Sequence, residues 1–177
     1  MLTDEQLMLD FGRGSQEAFT ELFMRYREPI FGYFRRRLAD AARAEELAQE
    51  TFLAVLRALV RYEPRALFRT YLYAIAARQL AAERRKTTYR EASTAAVPAD
   101  PSAAGDPEGE VSVRQALEKL ALDDRQVLML REYEQLTYAE IAAVQRVPIN
   151  TVRSRLFRAR LALKELLLCK SPAQRTV

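Results

Sequence analysis

The residues best equipped for chemistry fall in three clusters. The last is Thr151-Val152-Arg153-Ser154-Arg155-Leu156-Phe157-Arg158. Wound at 3.6 residues per turn, Val152, Leu156, Ala159, Leu163 and Leu166 share an arc of roughly 80°. That stripe must face a core. Arg153, Ser154, Phe157 and Arg158 fall outside it, with Phe157 roughly 140° from its centre. A ring among arginines on a solvent-facing arc can touch a thymine methyl or pack on a sugar, and arginine can read guanine bidentately. From Arg146 onward the cations are Arg146, Arg153, Arg155, Arg158, Arg160, Lys164, Lys170 and Arg175, against Glu165 alone. That concentration suits a phosphate-contacting surface. The plainer alternative is a solvated basic face with Phe157 packed on a neighbouring domain.

The second cluster comprises Phe68, Arg69, Tyr71, Tyr73, Arg78, Arg84, Arg85, Lys86, Tyr89 and Arg90. Rings beside basic groups suit unstacked single-stranded bases and their phosphates. On the plainer reading Phe68, Leu72, Ile75 and Ala76 are core and the arginines only solubilise. The third is Glu45-Glu46-Leu47-Ala48-Gln49-Glu50-Thr51-Phe52. Glu46 and Glu50 could form a catalytic pair, but no nucleophile or metal partner stands nearby. An exposed acidic face comes first, and a docking face for a basic partner second.

Composition narrows the chemistry further. The 177 residues contain no histidine, so a Ser-His or Cys-His pair and a His-ligated metal are absent. A single cysteine, Cys169, rules out an internal disulfide and a Cys-rich zinc site. Only five glycines remain for phosphate-cradling loops. No cofactor and no small-molecule substrate are called for. Lysine plus arginine total 28 against 24 acids, a mild basic excess. No stretch approaches the ~20 apolar residues of a membrane span, and the start, MLTDEQLMLD, is acidic where a signal peptide is basic. The expectation is a soluble cytoplasmic protein without direct membrane insertion.

The elements that must position these clusters are helices. Alanine, leucine, glutamate, arginine and glutamine dominate, and β-branched runs are scarce. Residues 91–109, EASTAAVPADPSAAGDPEG, carry only acidic charge and no helical period, and read as a flexible linker. The expected class is all-α: two small helical domains, 1–90 and 110–170, with a fraying tail over 171–177. In the first, Thr3 with Gln6 forms a capping box, Ser15 opens a long helix bent at Pro29, and Asp40 opens a third. A fourth runs from about Leu67 to Lys86. In the second, Ser112 caps one helix, Asp123 with Gln126 opens another, and Thr137 with Glu140 forms a capping box. A turn at Arg146-Val147-Pro148 then leads to a long basic helix from about Ile149 to Leu168, making a helix-turn-helix.

These pieces, in this order, resemble the extracytoplasmic-function (ECF) sigma factors of bacteria, the minimal two-domain members of the sigma-70 family. Three stretches carry the resemblance: Glu45 through Leu53; Phe68-Arg69-Thr70-Tyr71-Leu72-Tyr73-Ala74-Ile75-Ala76 with Arg84-Arg85-Lys86; and Leu136 through Ala142 with Thr151 through Arg160. The resemblance implies a non-catalytic factor that binds the clamp and flap of core RNA polymerase and directs it to promoter DNA. Clamp binding would fall on Glu45, Glu46, Leu47, Gln49, Glu50 and Phe52. The −10 element would be opened and held by Tyr62, Arg65, Arg69, Tyr71, Arg78, Arg84 and Arg85. The −35 element would be read by Thr151, Arg153, Ser154, Arg155, Phe157 and Arg158. The linker would thread toward the polymerase active-site and RNA-exit region, and an anti-sigma factor would cover the polymerase-binding surfaces. The chain departs from the pattern where Tyr71 replaces a usual Trp, Ala77-Arg78 an Arg-Asn pair and Ala82 an Asp. Arg43 stands for the first acid of the clamp segment, and Arg146 and Asn150 stand where Gly is usual. If the turn needs a positive φ, Arg146 is strained, while Asn150 can cap the following helix. A stand-alone helix-turn-helix regulator, which needs no polymerase, explains residues 136–160 equally well. It leaves the other two clusters unused. A protein-binding helical adaptor and an enzyme follow behind.

Overall fold

A computed structural model describes residues 2–59, 62–64, 66–93 and 108–168, and among them every regular element is helical. Arg65 and Cys169, most of the linker (94–107) and the tail therefore lie outside the described residues. The chain divides into two compact units, 1–99 and 100–177.

The first unit holds α1 (Asp4–Gly12), α2 (Gln16–Arg35), α3 (Ala41–Ala58) and α4 (Phe68–Ser93). Local capping sets the starts. The Thr3 hydroxyl accepts from the Gln6 N–H, Ser15 from Ala18, and the Asp40 carboxylate from Ala42 and Arg43. Gly14, at φ 106°, makes the turn between α1 and α2, a conformation that a side chain disfavours. Apolar positions three and four apart then bury Leu22, Ile30 and Phe34 of α2 against Leu47 and Val55 of α3 and Phe68 and Leu72 of α4. The buried Thr51 hydroxyl reaches both the Leu47 carbonyl and the Gln79 side chain, fastening α3 to α4.

One fastening has no local signal. The Asp4 carboxylate accepts from Arg25 Nη1 at 2.6 Å and from the Tyr26 hydroxyl. Its neighbour Glu5 accepts from the Phe68 N–H at 2.8 Å, satisfying an orphan donor at the start of α4. The first helix thus caps the fourth.

The second unit holds α5 (Glu108–Glu118), α6 (Leu122–Glu132), α7 (Tyr138–Gln145) and α8 (Ile149–Leu168). The capping box at Thr137 is present in both directions, at 3.2 and 2.8 Å. Val127, Leu136, Ile141, Val152, Leu156 and Ala159 form the centre of the core. Arg146 ends α7 in the left-handed region, φ 56° and ψ 45°, so the turn does require the conformation that glycine adopts most cheaply.

Several starts differ from the sequence reading. Helix α4 runs on to Ser93 and α5 begins at Glu108, so helix enters both ends of the stretch read as linker. Ser112 lies inside α5. Helix α6 starts one residue before Asp123; its N-cap is Ala121, which has no side-chain acceptor, and the Asp123 carboxylate in the first turn pairs with Arg155. Gln6 turns to Asp10 and does not close a box with Thr3. Asn150 is not a cap: the Pro148 carbonyl already accepts from Thr151 and Val152, so the helix begins ahead of it.

A left-handed non-glycine residue costs about 1–2 kcal/mol. Arg146→Gly is therefore expected to stabilise the second unit by about 0.5–1 kcal/mol, after the extra chain entropy of glycine. Arg146→Val, β-branched at positive φ, should destabilise it by more than about 1 kcal/mol. Amide exchange in α7 and α8 of the full chain measures both.

Candidate functional site

The second unit turns one side of α8 outward. Phe157 is 70% exposed, while its neighbour Leu156 is buried. Arg153 and Ser154 are exposed beside it. Arg153 donates to the Asn150 carboxamide at 3.1 Å, and the Ser154 hydroxyl to the Thr151 carbonyl at 3.0 Å. Thr151 itself is half-buried. Tyr138, Leu161 and Lys164, none of them among the six expected −35 residues, line a shallow open groove with Arg153, Phe157 and Arg160.

Two of the six expected residues, Arg155 and Arg158, are engaged by carboxylates of α6. Arg155 lies roughly 160° around the helix from Phe157. Its guanidinium donates to Gln145 at 3.3 Å and to the Asp123 carboxylate, so it braces α8 against α6 and α7 and does not join the outward face. Arg158 is 58% exposed, yet its Nε and Nη2 grip the Asp124 carboxylate at 3.1 and 2.9 Å. Arg160, on the other edge of the apolar stripe, pairs with Glu132 at 2.8 Å.

In the first unit, Phe68 and Tyr73 are core. Tyr62 and Tyr71 are half-buried and meet edge to face, ring centres 5.4 Å apart, both also against Phe68. Burial, reinforced by Glu5, pushes the Tyr62 phenol up to about 12, so it is neutral at working pH. Burial raises Tyr71 as well, with the nearby Arg78 charge acting against it. Tyr71, Arg78, Arg85 and Tyr89 fall within an arc of roughly 40° along α4. The last three are exposed, giving an aromatic-basic stripe that leads away from the Tyr62–Tyr71 pair. Arg69 and Arg84 are half-buried and lie on other faces of the helix. The structure therefore gathers four of the expected −10 residues, Tyr62, Tyr71, Arg78 and Arg85, and leaves Arg69 and Arg84 apart.

Helix α3 exposes Glu45, Glu46, Gln49 and Glu50. Leu47 and Phe52 of the same segment are buried, Phe52 edge-on to Phe23 at 4.9 Å, so they hold the helix in place and do not form its outer surface. Leu53 is exposed instead, three residues after Glu50 and seven after Glu46 on the same face. Spacing alone could have found it. Arg43 donates to Glu46, Glu50 and Glu83 at 2.7, 3.2 and 2.7 Å. That guanidinium is the first cause holding the Glu83 carboxyl below its ordinary range. Among the described residues no group of acids and cysteines could hold a metal ion. Nor is any helix there long and apolar enough to cross a membrane.

Residues 22–89 match the family model for sigma-70 region 2, and residues 110–163 that for sigma-70, region 4. The RNA polymerase sigma-H factor of Pseudomonas aeruginosa is 35% identical, over 93% of each chain. The ECF RNA polymerase sigma-E factor of Salmonella typhimurium is 32% identical, over 92% of this chain and 93% of that one. In fold, the chain is similar to the sigma factor RpoE of Bartonella quintana, solved in complex with the anti-sigma factor NepR. The TM-score is 0.71 at 22% identity, covering 86% of this chain and 98% of that one. The chain belongs to the sigma-70 family, in its extracytoplasmic-function group, and is an RNA polymerase sigma factor.

Proposed function

We propose that the two units divide promoter recognition between them, with no catalytic site of their own. The unit within 110–170 lays α8 in the −35 major groove through Arg153, Ser154 and Phe157, with Arg158 at the edge and Thr151 toward the backbone. The unit within 1–90 captures an unstacked −10 base on Tyr62 and Tyr71. Arg78 and Arg85 take the phosphates that follow. The clamp of core polymerase meets α3 at Glu45, Glu46, Gln49, Glu50 and Leu53, and the flap meets the second unit. The observation that carries this reading is the exposed Phe157 between Arg153 and Ser154. A small domain leaves such a ring in water only by forgoing about 1.5–3 kcal/mol of burial. Work of this kind takes place in the cytoplasm.

Modest contacts suffice, because binding to one polymerase makes each later contact intramolecular. An anti-sigma factor is the further partner. Phe23, Met24 and Leu53 on the first unit and Leu122, Leu161 and Leu168 on the second remain exposed, and a covering protein would bury them. Native complexes that contained polymerase alone under every growth condition would contradict that partner.

Arg153→Ala is expected to weaken promoter use by about 1–3 kcal/mol. Phe157→Ala should also lower it, while changing thermal stability by less than about 0.5 kcal/mol. Leu156→Ala, one residue away, should cost about 2–5 kcal/mol of stability. Transcription assays paired with thermal melts separate the three; full promoter use by Arg153→Ala and Phe157→Ala would refute the reading face.

Tyr71→Ala should slow promoter opening by an amount equal to losing one stacked base, about 1–3 kcal/mol, with Tyr71→Trp restoring it. Permanganate footprinting of the −10 region reads this directly. Reversing Glu46 and Glu50 to Lys should reduce core affinity in a competition assay while circular dichroism stays unchanged.

A further inference from the structure

Arg43 places a cation at the head of the acidic segment of α3. Its side chain is 25% exposed. Through Nη1 it holds two exposed carboxylates, Glu46 and Glu50, and through Nη2 it is tied to Glu83 on α4. One positive charge against three negative ones leaves this group at −2. Arginine does not lose its proton at any working pH, so the charge cannot be shed. The Glu83 tie also keeps the head from swinging clear. Glu46 and Glu50 still have lone pairs for an incoming donor. A basic surface approaching them nevertheless meets a cation already seated between them.

We infer that Arg43 attenuates docking: it positions Glu46 and Glu50 on the face of α3 and lowers their attraction for a basic partner surface. This rests on the reading of α3 as the polymerase-facing helix. Charges at an interface act chiefly on encounter rate and on salt dependence. The effect of Arg43 is therefore largest at low salt and screened at high salt.

The experiment is competition binding of the full-length protein to purified core polymerase at a series of salt concentrations. Arg43→Gln is expected to bind roughly two- to fivefold more tightly at low salt, the size of one exposed charge, and to converge with the wild type at high salt. Glu83→Gln breaks the same tie between α3 and α4 but shifts the charge the other way, so it should bind more weakly at low salt. If the tie mattered only to the fold, both variants would move in one direction, and that result overturns the inference. An Arg43→Gln variant with wild-type affinity and salt slope overturns it too. Glu45→Lys separates this failure from a failure of the underlying reading, because Glu45 takes no part in those bonds. If Glu45→Lys weakens binding while Arg43→Gln changes nothing, only the role of Arg43 is lost. If Glu45→Lys also binds normally, α3 is not the polymerase-facing helix.

Discussion

Val152, Leu156 and Ala159 fix how α8 is rotated about its own axis, and the outward face proposed to read the −35 element follows from that rotation. All three are fully buried against α5, α6 and α7. Burying Val152 and Leu156 is worth about 1.5–3 kcal/mol each. The ion pairs at the stripe edges, Arg155 to Asp123 and Arg160 to Glu132, are at most partly buried, and such pairs contribute about 0–1 kcal/mol. The apolar stripe therefore sets the rotation and the arginines only sharpen it. Once it is set, a 100° step per residue leaves Arg153 and Phe157 nowhere to point but outward.

The first unit obeys the same constraint with different cargo. Ala44, Leu47, Thr51 and Val55 take the inner side of α3, which forces Glu46, Gln49, Glu50 and Leu53 outward. On α4 the inner positions Phe68, Leu72 and Ala76 leave Tyr71, Arg78 and Arg85 on an outer stripe. What is particular to this unit is the α1 carboxylate pair. Glu5 holds the first N–H of α4, and Asp4 holds Arg25 and the Tyr26 ring that packs on Phe68. The aromatic floor beneath Tyr62 and Tyr71 is thus set by residues near the start of the chain.

Local physics was legible from the residues. The caps at Ser15, Asp40 and Thr137, the left-handed turn at Arg146 and the outward side of α8 all follow from periodicity or from a hydrogen bond within a few residues. Long-range pairing was not. Glu5 caps a helix 63 residues away, and nothing near either residue signals it. Asp123 reads as a helix start, yet its carboxylate pairs with Arg155, 32 residues on. The burial of Leu47 and Phe52 has another reason: the resemblance marks a segment, whereas helical geometry divides that segment between core and surface. Arg43 needed both kinds of information, since two of its acids lie on its own helix and the third on α4.

The protein thus offers three surfaces of different character: an acidic helix face, an aromatic-basic stripe, and an aromatic ring among arginines. On the proposed reading each meets a different part of the polymerase–promoter complex, and no single one of them requires tight binding. Run-off transcription tests this most directly, using purified bacterial core polymerase on pooled genomic fragments with and without the protein. The account predicts transcripts that appear only with the protein and share two short sequence blocks upstream of their starts. No new transcripts, together with tight binding of the protein alone to duplex DNA, would contradict it.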